Sequence, residues 1–505
     1  MSVSVATLVL AGTAAACSSP PTAAPTPRLA PPEVASAAPT DWPLPGHDYT
    51  NTRQAGPTPI RAATVAKLAP AWQVDTSGAL TTAAIVVHGV AYVEDDMGVV
   101  LAVDVATGSV KWKSAATGFT VGPEGAVVGY GKVFAATKDG AVALNLSTGA
   151  VVWQRTLTNS PTDGVDIQPT VAGGKVLVST VPVSGKNQFH GGDNGIIYAL
   201  NASSGATDWS FNTVTSNYWG NPAVNSGGGS WYPPSVDAAT GTVYWGTGNP
   251  SPYPGTAQYP NGSSRPGANL YSDSTLALSL ATGKLLWYHQ ETAHDLFDHD
   301  FMLTMLVQVG SGSGAHQLVV GTGKAGVVVG MNPTTGKVVW STPVGIHSND
   351  TLTALPPGVT QVLPGTYGGV LTPPAAADST VYVATLNAPS SLQPDATAYT
   401  GGKTGLHPGE VVAINAANGQ VRWDTHVAGD PIGGVTVANN LVFTGTLQGT
   451  LYALNRANGA IVWQYRAPAG ISGWMAITGP DLILPTGSIG TAGHLVSLRL
   501  PASAG

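Results

Sequence analysis

The stretch Ala102–Trp112 reads AVDVATGSVKW, and closely similar stretches return along most of the chain. Their shared pattern is A-x-[DNS]-x-x-[TNS]-G-x-x-x-W. It predicts a strand, a tight turn and a second strand, because Asp, Asn or Ser before a Thr-Gly or Asn-Gly pair favours a hairpin. The seven copies are Ala102–Trp112, Ala143–Trp153, Ala199–Trp209, Ala277–Trp287, Gly330–Trp340, Ala413–Trp423 and Ala453–Trp463.

Another run in which apolar and polar residues alternate precedes each copy, as expected for further strands. Each unit is therefore predicted to have about four strands. The shortest copies repeat at about 40 residues, which is the period of propeller blades. The tail GHLVSLRL, residues 493–500, looks like an eighth copy without its turn and Trp. We expect it to share a blade with the segment around Trp72 and so close a ring. The predicted fold is all-β, an eight-bladed β-propeller of four-stranded antiparallel blades, with an open solenoid as the alternative. The seven repeat Trp residues are expected to pack between adjacent blades.

Composition supports this fold and excludes some partners. Among the 505 residues, Gly (64) and Pro (39) are plentiful and charged residues make up only 9%, which favours short strands and frequent turns. The formal net charge is −7, and no Lys/Arg cluster is visible. Nucleic acid and an anionic membrane surface are therefore not expected as partners.

The first 40 residues differ from the rest. Cys17 is the single cysteine, which excludes an intrachain disulfide and a CxxCH haem attachment. The apolar run before it resembles a bacterial lipoprotein signal, with residues 1–17 ending at a lipidated cysteine. That run has no Lys or Arg, and Ala14 stands where Leu is usual, so a plain secretory signal and a wrongly assigned start remain alternatives.

Residues 18–40 are rich in Pro and Ala and predict a disordered linker. The folded propeller domain would then span residues 41–505. This organisation predicts an exported protein, either a cell-envelope lipoprotein or a periplasmic or extracellular protein. Its only contact with the membrane would be the N-terminal lipid anchor.

The stretch between Trp231 and Asp300 contains the side chains best suited to bind a metal ion or a planar ligand. Asn249 follows a tight Gly turn, and Asp298 and Asp300 are two residues apart. Asn and Asp oxygens suit a hard cation such as Ca²⁺, and the Trp provides a flat face for a planar ligand. The structural alternatives are a turn Asn and a solvated pair of loop carboxylates.

The repeats and the central stretch resemble the quinoprotein alcohol dehydrogenases, bacterial enzymes that use pyrroloquinoline quinone (PQQ). The resemblance covers nearly all of residues 41–500. Its most specific part is GTGNPSP, followed by RPGANLYSDSTLALSLATGKLLWYHQETAHDLFDHD. It implies an eight-bladed propeller that binds PQQ with a Ca²⁺ or lanthanide ion.

The resemblance also implies roles for particular residues. Asn249 stands at the position of a metal-ligating Asn, and Asp298 at that of the proposed catalytic base, which also binds the metal. Asp300 matches a second Asp associated with lanthanide ions. Trp231 matches the Trp beneath the quinone ring, and Lys324 matches the cation that contacts the quinone oxygens.

Three positions depart from the family pattern. His190 falls where a metal-binding Glu is expected, with Asp193 as a nearby substitute. Glu124 replaces an Arg that meets a PQQ carboxylate, and Thr81 replaces a Glu of the cofactor pocket. A separate alternative is a transition-metal site formed by the histidines of this region, which are His190, His289, His294 and His299.

Two functional hypotheses follow. The first is an exported quinoprotein dehydrogenase that oxidises a small-molecule or polymeric alcohol, as a polyvinyl alcohol dehydrogenase does. It would pass electrons to an external acceptor such as a cytochrome. The second is a non-catalytic, lipid-anchored propeller that acts as a protein- or glycan-binding scaffold. The retained site residues favour the first hypothesis, and Thr81, Glu124 and His190 favour the second.

Overall fold

A computed structural model describes residues 1–3, 28–120, 122–182, 190–397 and 404–502. Cys17, most of the predicted signal and residues 18–27 of the predicted linker lie outside the described residues. No helix in the described ranges is long and apolar enough to cross a membrane. The helices are α1 (Pro32–Ala35) and four short 3-10 helices, Val65–Lys67, Tyr218–Gly220, Pro260–Gly262 and Gly312–Gly314.

Short strands make up most of the described chain. The first ten are β1 (Ala69–Asp75), β2 (Ile85–Val87), β3 (Val90–Glu94), β4 (Val100–Asp104), β5 (Val110–Lys113), β6 (Ala126–Gly129), β7 (Lys132–Thr137), β8 (Gly140–Asn145), β9 (Val151–Thr156) and β10 (Asp163–Gly164). The next eleven are β11 (Thr170–Ala172), β12 (Lys175–Ser179), β13 (Val181–Pro182), β14 (Ile196–Asn201), β15 (Thr207–Asn212), β16 (Ser226–Gly227), β17 (Ser235–Asp237), β18 (Thr242–Gly246), β19 (Pro250–Ser251), β20 (Ser274–Ser279) and β21 (Leu285–Gln290).

The second half of the chain continues the same pattern. Its first eight strands are β22 (Leu303–Val309), β23 (His316–Thr322), β24 (Val327–Met331), β25 (Val338–Pro343), β26 (Thr360–Val362), β27 (Ala375–Ala377), β28 (Thr380–Thr385) and β29 (Ser390–Leu392). The last nine are β30 (Gly409–Asn415), β31 (Val421–Val427), β32 (Val435–Ala438), β33 (Leu441–Gly445), β34 (Thr450–Asn455), β35 (Ile461–Arg466), β36 (Ala476–Thr478), β37 (Asp481–Thr486) and β38 (His494–Arg499).

These strands form eight four-stranded antiparallel sheets, the blades. In chain order the blades are β2–β5, β6–β9, β11-β12-β14-β15, β17-β18-β20-β21, β22–β25, β27-β28-β30-β31, β32–β35 and β36-β37-β38-β1. Three two-stranded ribbons, β10-β13, β16-β19 and β26-β29, arise from the longer insertions. The predicted eight-bladed propeller is therefore confirmed.

The eighth blade is built from both ends of the domain. Strand β1 pairs with β38 from Ala69 opposite Arg499 to Asp75 opposite His494. This confirms that the tail shares a blade with the segment around Trp72. Pairing the two terminal strands leaves no open edge between the first and last blades.

The repeat Trp and Gly residues join neighbouring blades. The indole N–H of Trp112 donates to the carbonyl of Leu146 at 3.0 Å. Gly149, at φ +70°, packs on the same ring, where an added Cβ would lie 2.5 Å from a ring carbon. The same type of hydrogen bond is made by Trp72, Trp153, Trp209, Trp287, Trp340 and Trp423. Trp463 differs because the eighth blade lacks the repeat turn that would supply its carbonyl.

The segment before the propeller packs on it. Helix α1 carries Glu33, whose carboxylate accepts hydrogen bonds from the backbone N–H groups of Tyr130 at 2.8 Å and Gly131 at 2.6 Å. The prediction of a disordered linker over residues 18–40 is therefore wrong for residues 28–40. A low-complexity composition is compatible with order here because one acidic side chain satisfies two turn N–H groups of the second blade.

Candidate functional site

A cavity of about 280 Å³ lies where the blades meet. Its lining comes from the segments at the inner ends of the blades, so the cavity lies on the axis of the ring. The lining residues are Thr81, Gly122, Pro123, Asp166, Trp231, Tyr232, Lys324, Tyr367, Leu371, Thr372, Ile432, Ser472, Trp474 and Ile489.

Strand register places many of these side chains at the axis. Each blade begins with its innermost strand, and the residue four positions before that strand often faces the cavity. Thr81 precedes β2 in this way, Asp166 precedes β11, and Trp231 precedes β17. Leu371 before β27 and Ser472 before β36 follow the same rule. A repeat fold thus brings residues distant in sequence to one site.

At one end of the cavity Lys324 bridges two carboxylates. Its Nζ lies 3.0 Å from Oδ2 of Asp298 and 2.6 Å from Oδ2 of Asp300. All three side chains are buried, and Asp300 is fully buried. Lys324 follows Gly323, where an added Cβ would lie 1.8 Å from the carbonyl oxygen of Asp300. The glycine therefore allows the two loops to approach closely enough for the ion pairs.

Asp295 stabilises the loop that carries Asp298 and Asp300. Its carboxylate accepts hydrogen bonds from the N–H groups of Phe297 at 2.8 Å and His299 at 2.7 Å. Buried Arg265 in turn donates to the carbonyl of Asp295 at 2.5 Å. Asp298 has φ +67°, a left-handed conformation that costs energy for a non-glycine residue and is common at functional sites.

Asn249 and Trp231 complete the cluster. The backbone N–H of Asn249 donates to Oδ1 of Asp300 at 2.8 Å, and its side-chain amide donates to Pro250 O at 3.2 Å. Lys324 Nζ lies 5.5 Å from the centre of the Trp231 ring, within cation–π range. The structure therefore brings together five of the six predicted site residues.

The cluster carries more negative than positive charge. Burial raises the pKa of Asp298 and of Asp300, and Lys324 opposes this rise. The pKa of Asp298 is raised further by Asp300, and that of Asp300 by Asp295. Burial alone would lower the pKa of Lys324, but the two aspartates reverse this and raise it. One ammonium cannot neutralise two carboxylates, so the pair retains affinity for a proton or a further cation.

His190 does not join this cluster, contrary to the prediction. It is exposed, and its ring makes no hydrogen bond within the described ranges. Its loop is directed outward because Gly192 donates to the backbone of Asn225. Asp193 is also engaged elsewhere, since it accepts a hydrogen bond from the Thr162 hydroxyl.

The alternative of a histidine metal site is not supported either. His289 pairs with Glu291 at 3.0 Å, and the rings of His294 and His299 each contact a backbone carbonyl at 3.1 Å. In the part of the chain that the structure describes, no three His, Cys, Asp or Glu side chains are grouped as metal ligands.

Three buried carboxyl groups without a counter-charge lie at or near the cavity, and Asp166 is the one that lines it. Glu94, Glu124 and Asp166 are buried, and five of their six carboxyl oxygens have no hydrogen-bond partner among the described residues. Burial is the largest cause that raises the pKa of Glu124 to about 8 and of Asp166 to about 7. The sequence analysis named Glu124 but missed Glu94 and Asp166. Asp166 lies four residues before an innermost strand, and this spacing is the sequence signal that could have identified it as a cavity residue.

The residues fit PQQ and a hard cation under one condition. Trp231 offers a flat face, and Asp298, Asp300 and Asn249 form an oxygen-rich set that already holds an ammonium group. PQQ also carries three carboxylates, which an ionised Glu124 or Asp166 would repel. Burial raises the pKa of Glu124 to about 8 and that of Asp166 to about 7, so both groups are mostly uncharged at about pH 6, where the cavity suits the cofactor.

Two family models match parts of the chain. A family model described as "Glucose/ethanol/alcohol dehydrogenase, beta-propeller domain" matches residues 159–345. A second model, described as "Outer membrane protein assembly factor BamB", matches residues 62–181 and 407–498. The first match contains Trp231, Asn249, Asp298, Asp300 and Lys324.

Several dehydrogenases are also similar to this chain in sequence or in fold. A quinohemoprotein alcohol dehydrogenase of Comamonas testosteroni is 28% identical over 89% of this chain and 71% of its own length. A polyvinylalcohol dehydrogenase of a Pseudomonas species is 27% identical over 83% of this chain and 66% of the relative. The chain spans 45% of the alcohol dehydrogenase (quinone) subunit of Gluconobacter oxydans. A europium-containing methanol dehydrogenase superposes with a TM-score of 0.75 at 20% identity, covering 92% of this chain and 98% of that one, and shows the shared fold.

Fold and site together define an eight-bladed propeller with a carboxylate-and-lysine cluster beside an axial cavity. The chain resembles the PQQ-dependent alcohol dehydrogenases in sequence and shares their propeller fold.

Proposed function

We propose that this protein is an exported quinoprotein dehydrogenase that oxidises an alcohol with PQQ and a Ca²⁺ or lanthanide ion. The observation that carries the proposal is the placement of Lys324, Asp298 and Asp300 beside Trp231 at the axial cavity. A planar cofactor on the Trp231 face would lie next to the cation site. A substrate in the remaining space would then meet a carboxylate.

The residues of the chain have distinct parts in this proposal. PQQ, when bound, supplies the two-electron oxidant. Asp298 would take the proton of the substrate hydroxyl through its carboxylate. Asp300 and Asn249 would hold the metal ion together with Asp298, and Lys324 would keep the negative pair ionised and contact the cofactor oxygens. Tyr232 and Trp474, whose rings stack at 5.6 Å, exclude water from the cavity wall.

Substrate, acceptor and location belong to the same proposal. The likeness to a polyvinylalcohol dehydrogenase supports a small-molecule or polymeric alcohol as substrate. An external carrier such as a cytochrome is the electron acceptor in this proposal. Export would come from the N-terminal segment, with lipid attachment at Cys17 as the form we favour.

A second candidate function is a non-catalytic scaffold that binds a protein or glycan. It is favoured by the match of residues 62–181 and 407–498 to the BamB model. The uncompensated carboxyl groups of Glu124 and Asp166 favour it as well, because they oppose an anionic cofactor at high pH. Catalytic turnover distinguishes the two candidates.

The deciding experiment is a titration of the full chain with PQQ and Ca²⁺ or La³⁺ at pH 6, followed by Trp fluorescence. Dye reduction with primary alcohols and soluble polyvinyl alcohol is then assayed. We expect saturable quenching that weakens in Trp231→Ala, and turnover that falls at least about a hundredfold in Asp298→Asn.

Asp378→Asn is the matched control for the loss of an aspartate, because Asp378 is exposed and pairs with Arg456 outside the cavity. It should bind and turn over like the wild type. A folded wild-type protein that binds PQQ with neither ion would reject the dehydrogenase and leave the scaffold.

A further inference from the structure

We propose that Asp166, with Glu124 buried beside it, recognises the carboxylate edge of the cofactor as a neutral carboxylic acid, so that cofactor binding takes up protons. This inference rests on the proposed function and adds a binding wall to it. It assigns a role to side chains that the catalytic proposal does not use. It also resolves the conflict between an anionic ligand and an acidic wall.

Geometry places Asp166 at the cavity and Glu124 next to a lining residue. Asp166 lines it directly, lies against Gly122, and has one carboxyl oxygen without a partner in the described ranges. Glu124 follows the lining residue Pro123, is 1% exposed, and has no described partner for either carboxyl oxygen. Buried polar atoms are rarely left unpaired in folded proteins. Of the two side chains, Asp166 is the one on the lining and therefore the one that a ligand in the cavity can contact, whereas Glu124 is buried beside it.

The charges around Glu124 and Asp166 are almost all negative. Glu94 and Asp96 face Glu124 from the first blade, and Glu94 has Asp95 beside it. Asp96 accepts backbone hydrogen bonds from Ala79 at 3.1 Å and Gly490 at 2.8 Å, and Asp95 accepts backbone hydrogen bonds from Gly78, Met97 and Val99. The acidic groups around Glu124 make a negative charge on it costly.

No cation offsets this charge. Lys324 is the only Lys or Arg that lines the described part of the cavity, and it is already bound by two aspartates. Tyr232 on the neighbouring wall is an uncharged phenol whose pKa is raised mainly by burial. A buried carboxylate without a counter-ion becomes protonated rather than remaining charged. Accordingly, the pKa of Glu124 is about 8 and that of Asp166 about 7.

A protonated carboxyl group has one O–H donor. Donation to a ligand carboxylate gives a charge-assisted hydrogen bond, which is stronger than a neutral one. A protonated Asp166 can thus bind a cofactor carboxylate without a positive charge, and a neutral Glu124 beside it adds no repulsion. The attraction disappears once the wall ionises, so affinity should decline as pH rises through the range of these two pKa values.

The test measures PQQ binding to the full chain by Trp fluorescence between pH 5.5 and 9, at fixed Ca²⁺. Calorimetry at pH 7.5 in two buffers of different ionisation enthalpy counts the protons taken up. We expect the affinity to fall at least about tenfold between pH 6 and pH 8.5, with net proton uptake at pH 7.5.

Isosteric variants give the sharpest outcome. The double variant Glu124→Gln/Asp166→Asn keeps polar donors at both positions and removes the charge. It should bind PQQ more tightly than the wild type at pH 8.5, with a flat pH profile and reduced proton uptake. Glu410→Gln is the control, because Glu410 is buried in the sixth blade with Asn387 as its partner; its pH profile should match that of the wild type.

Two results would overturn the inference. Binding that is independent of pH, or equal weakening of the double variant at every pH, rejects the neutral-acid wall and leaves the dehydrogenase intact. Absence of PQQ binding at every pH in both proteins rejects the proposed function together with this inference. A double variant that binds where the wild type does not, at pH 8.5, supports both.

Discussion

At the scale of residues, Lys324 is the centre of the candidate site. Its ammonium group lies between the carboxylates of Asp298 and Asp300, in the position that a metal ion would take in the proposed function. Removing one partner of a buried ion pair leaves the other charge uncompensated, which costs about 3–5 kcal/mol. The same position therefore bears on stability, on metal binding and on cofactor contact.

The first prediction concerns Lys324→Met. We expect the free energy of unfolding to fall by about 3 kcal/mol in metal-free buffer. Ca²⁺ or La³⁺ should restore much of this loss, because the freed carboxylates then bind the ion. Calorimetry with and without the ions measures both effects. Lys337→Met, at an exposed repeat position, is the control and should show neither; a Lys324→Met protein insensitive to the ions would contradict a cation site.

The second prediction is a stability profile set by the acidic wall. The folded-state pKa values of Glu124 and Asp166 lie above the ordinary values, so the folded protein binds more protons than the unfolded chain between about pH 4 and pH 8. The stability from these groups is complete at low pH and is lost as pH rises toward 8. Thermal midpoints should decline over this range, and Glu124→Gln should flatten the decline. An identical slope in that variant would show that Glu124 is ionised in the fold.

The motifs predicted part of the site, and burial determined the rest. Asn249, Asp298 and Asp300 stand in specific motifs, so their proximity could be inferred from sequence. Asp166 stands in an unremarkable loop, and its chemistry arises only because the fold buries it without a counter-ion. His190 was misplaced because alignment across a short insertion does not show which way a loop points.

At the scale of elements, each repeat couples two blades through one Trp and one Gly. The motif predicts the packing of Trp between blades because the residue recurs at a fixed position, but it assigns Gly only to the turn, and the contact of Gly with the indole ring comes from the structure. The short ribbons and helix α1 were not predicted, since they depend on contacts between distant segments. Glu33, for example, caps a turn almost a hundred residues away in sequence.

The third prediction separates packing from backbone strain. Gly336 has φ +70°, and an added Cβ would lie 2.5 Å from a ring carbon of Trp287. Gly241 has a similar φ of +67° with nothing within 4 Å. Both substitutions to Ala should cost about 1 kcal/mol for the left-handed backbone. Gly336→Ala should cost about 1–3 kcal/mol more for the clash. Equal losses in urea unfolding would show that the indole moves aside freely.

At the scale of the whole molecule, the ring closes through β1 and β38. The fourth prediction is that ending the chain at residue 492, which removes β38, abolishes cooperative thermal unfolding. The eighth blade would then consist of β36 and β37 alone, with β1 unpaired. Ending the chain at residue 500, beyond β38, is the control and should keep the wild-type transition. A sharp transition in the shorter chain would show that seven blades suffice.

This closure also determines the order in which the blades can form during biosynthesis. Each of the first seven blades is a run of neighbouring strands, so it can form as soon as its own segment has been made. Strand β1 emerges early and must wait for β38, the last strand produced, with more than 400 residues between the partners. Until then its unpaired edge is open to wrong partners. Completion of the ring is therefore the step at which a chaperone would have most effect on the yield of native protein.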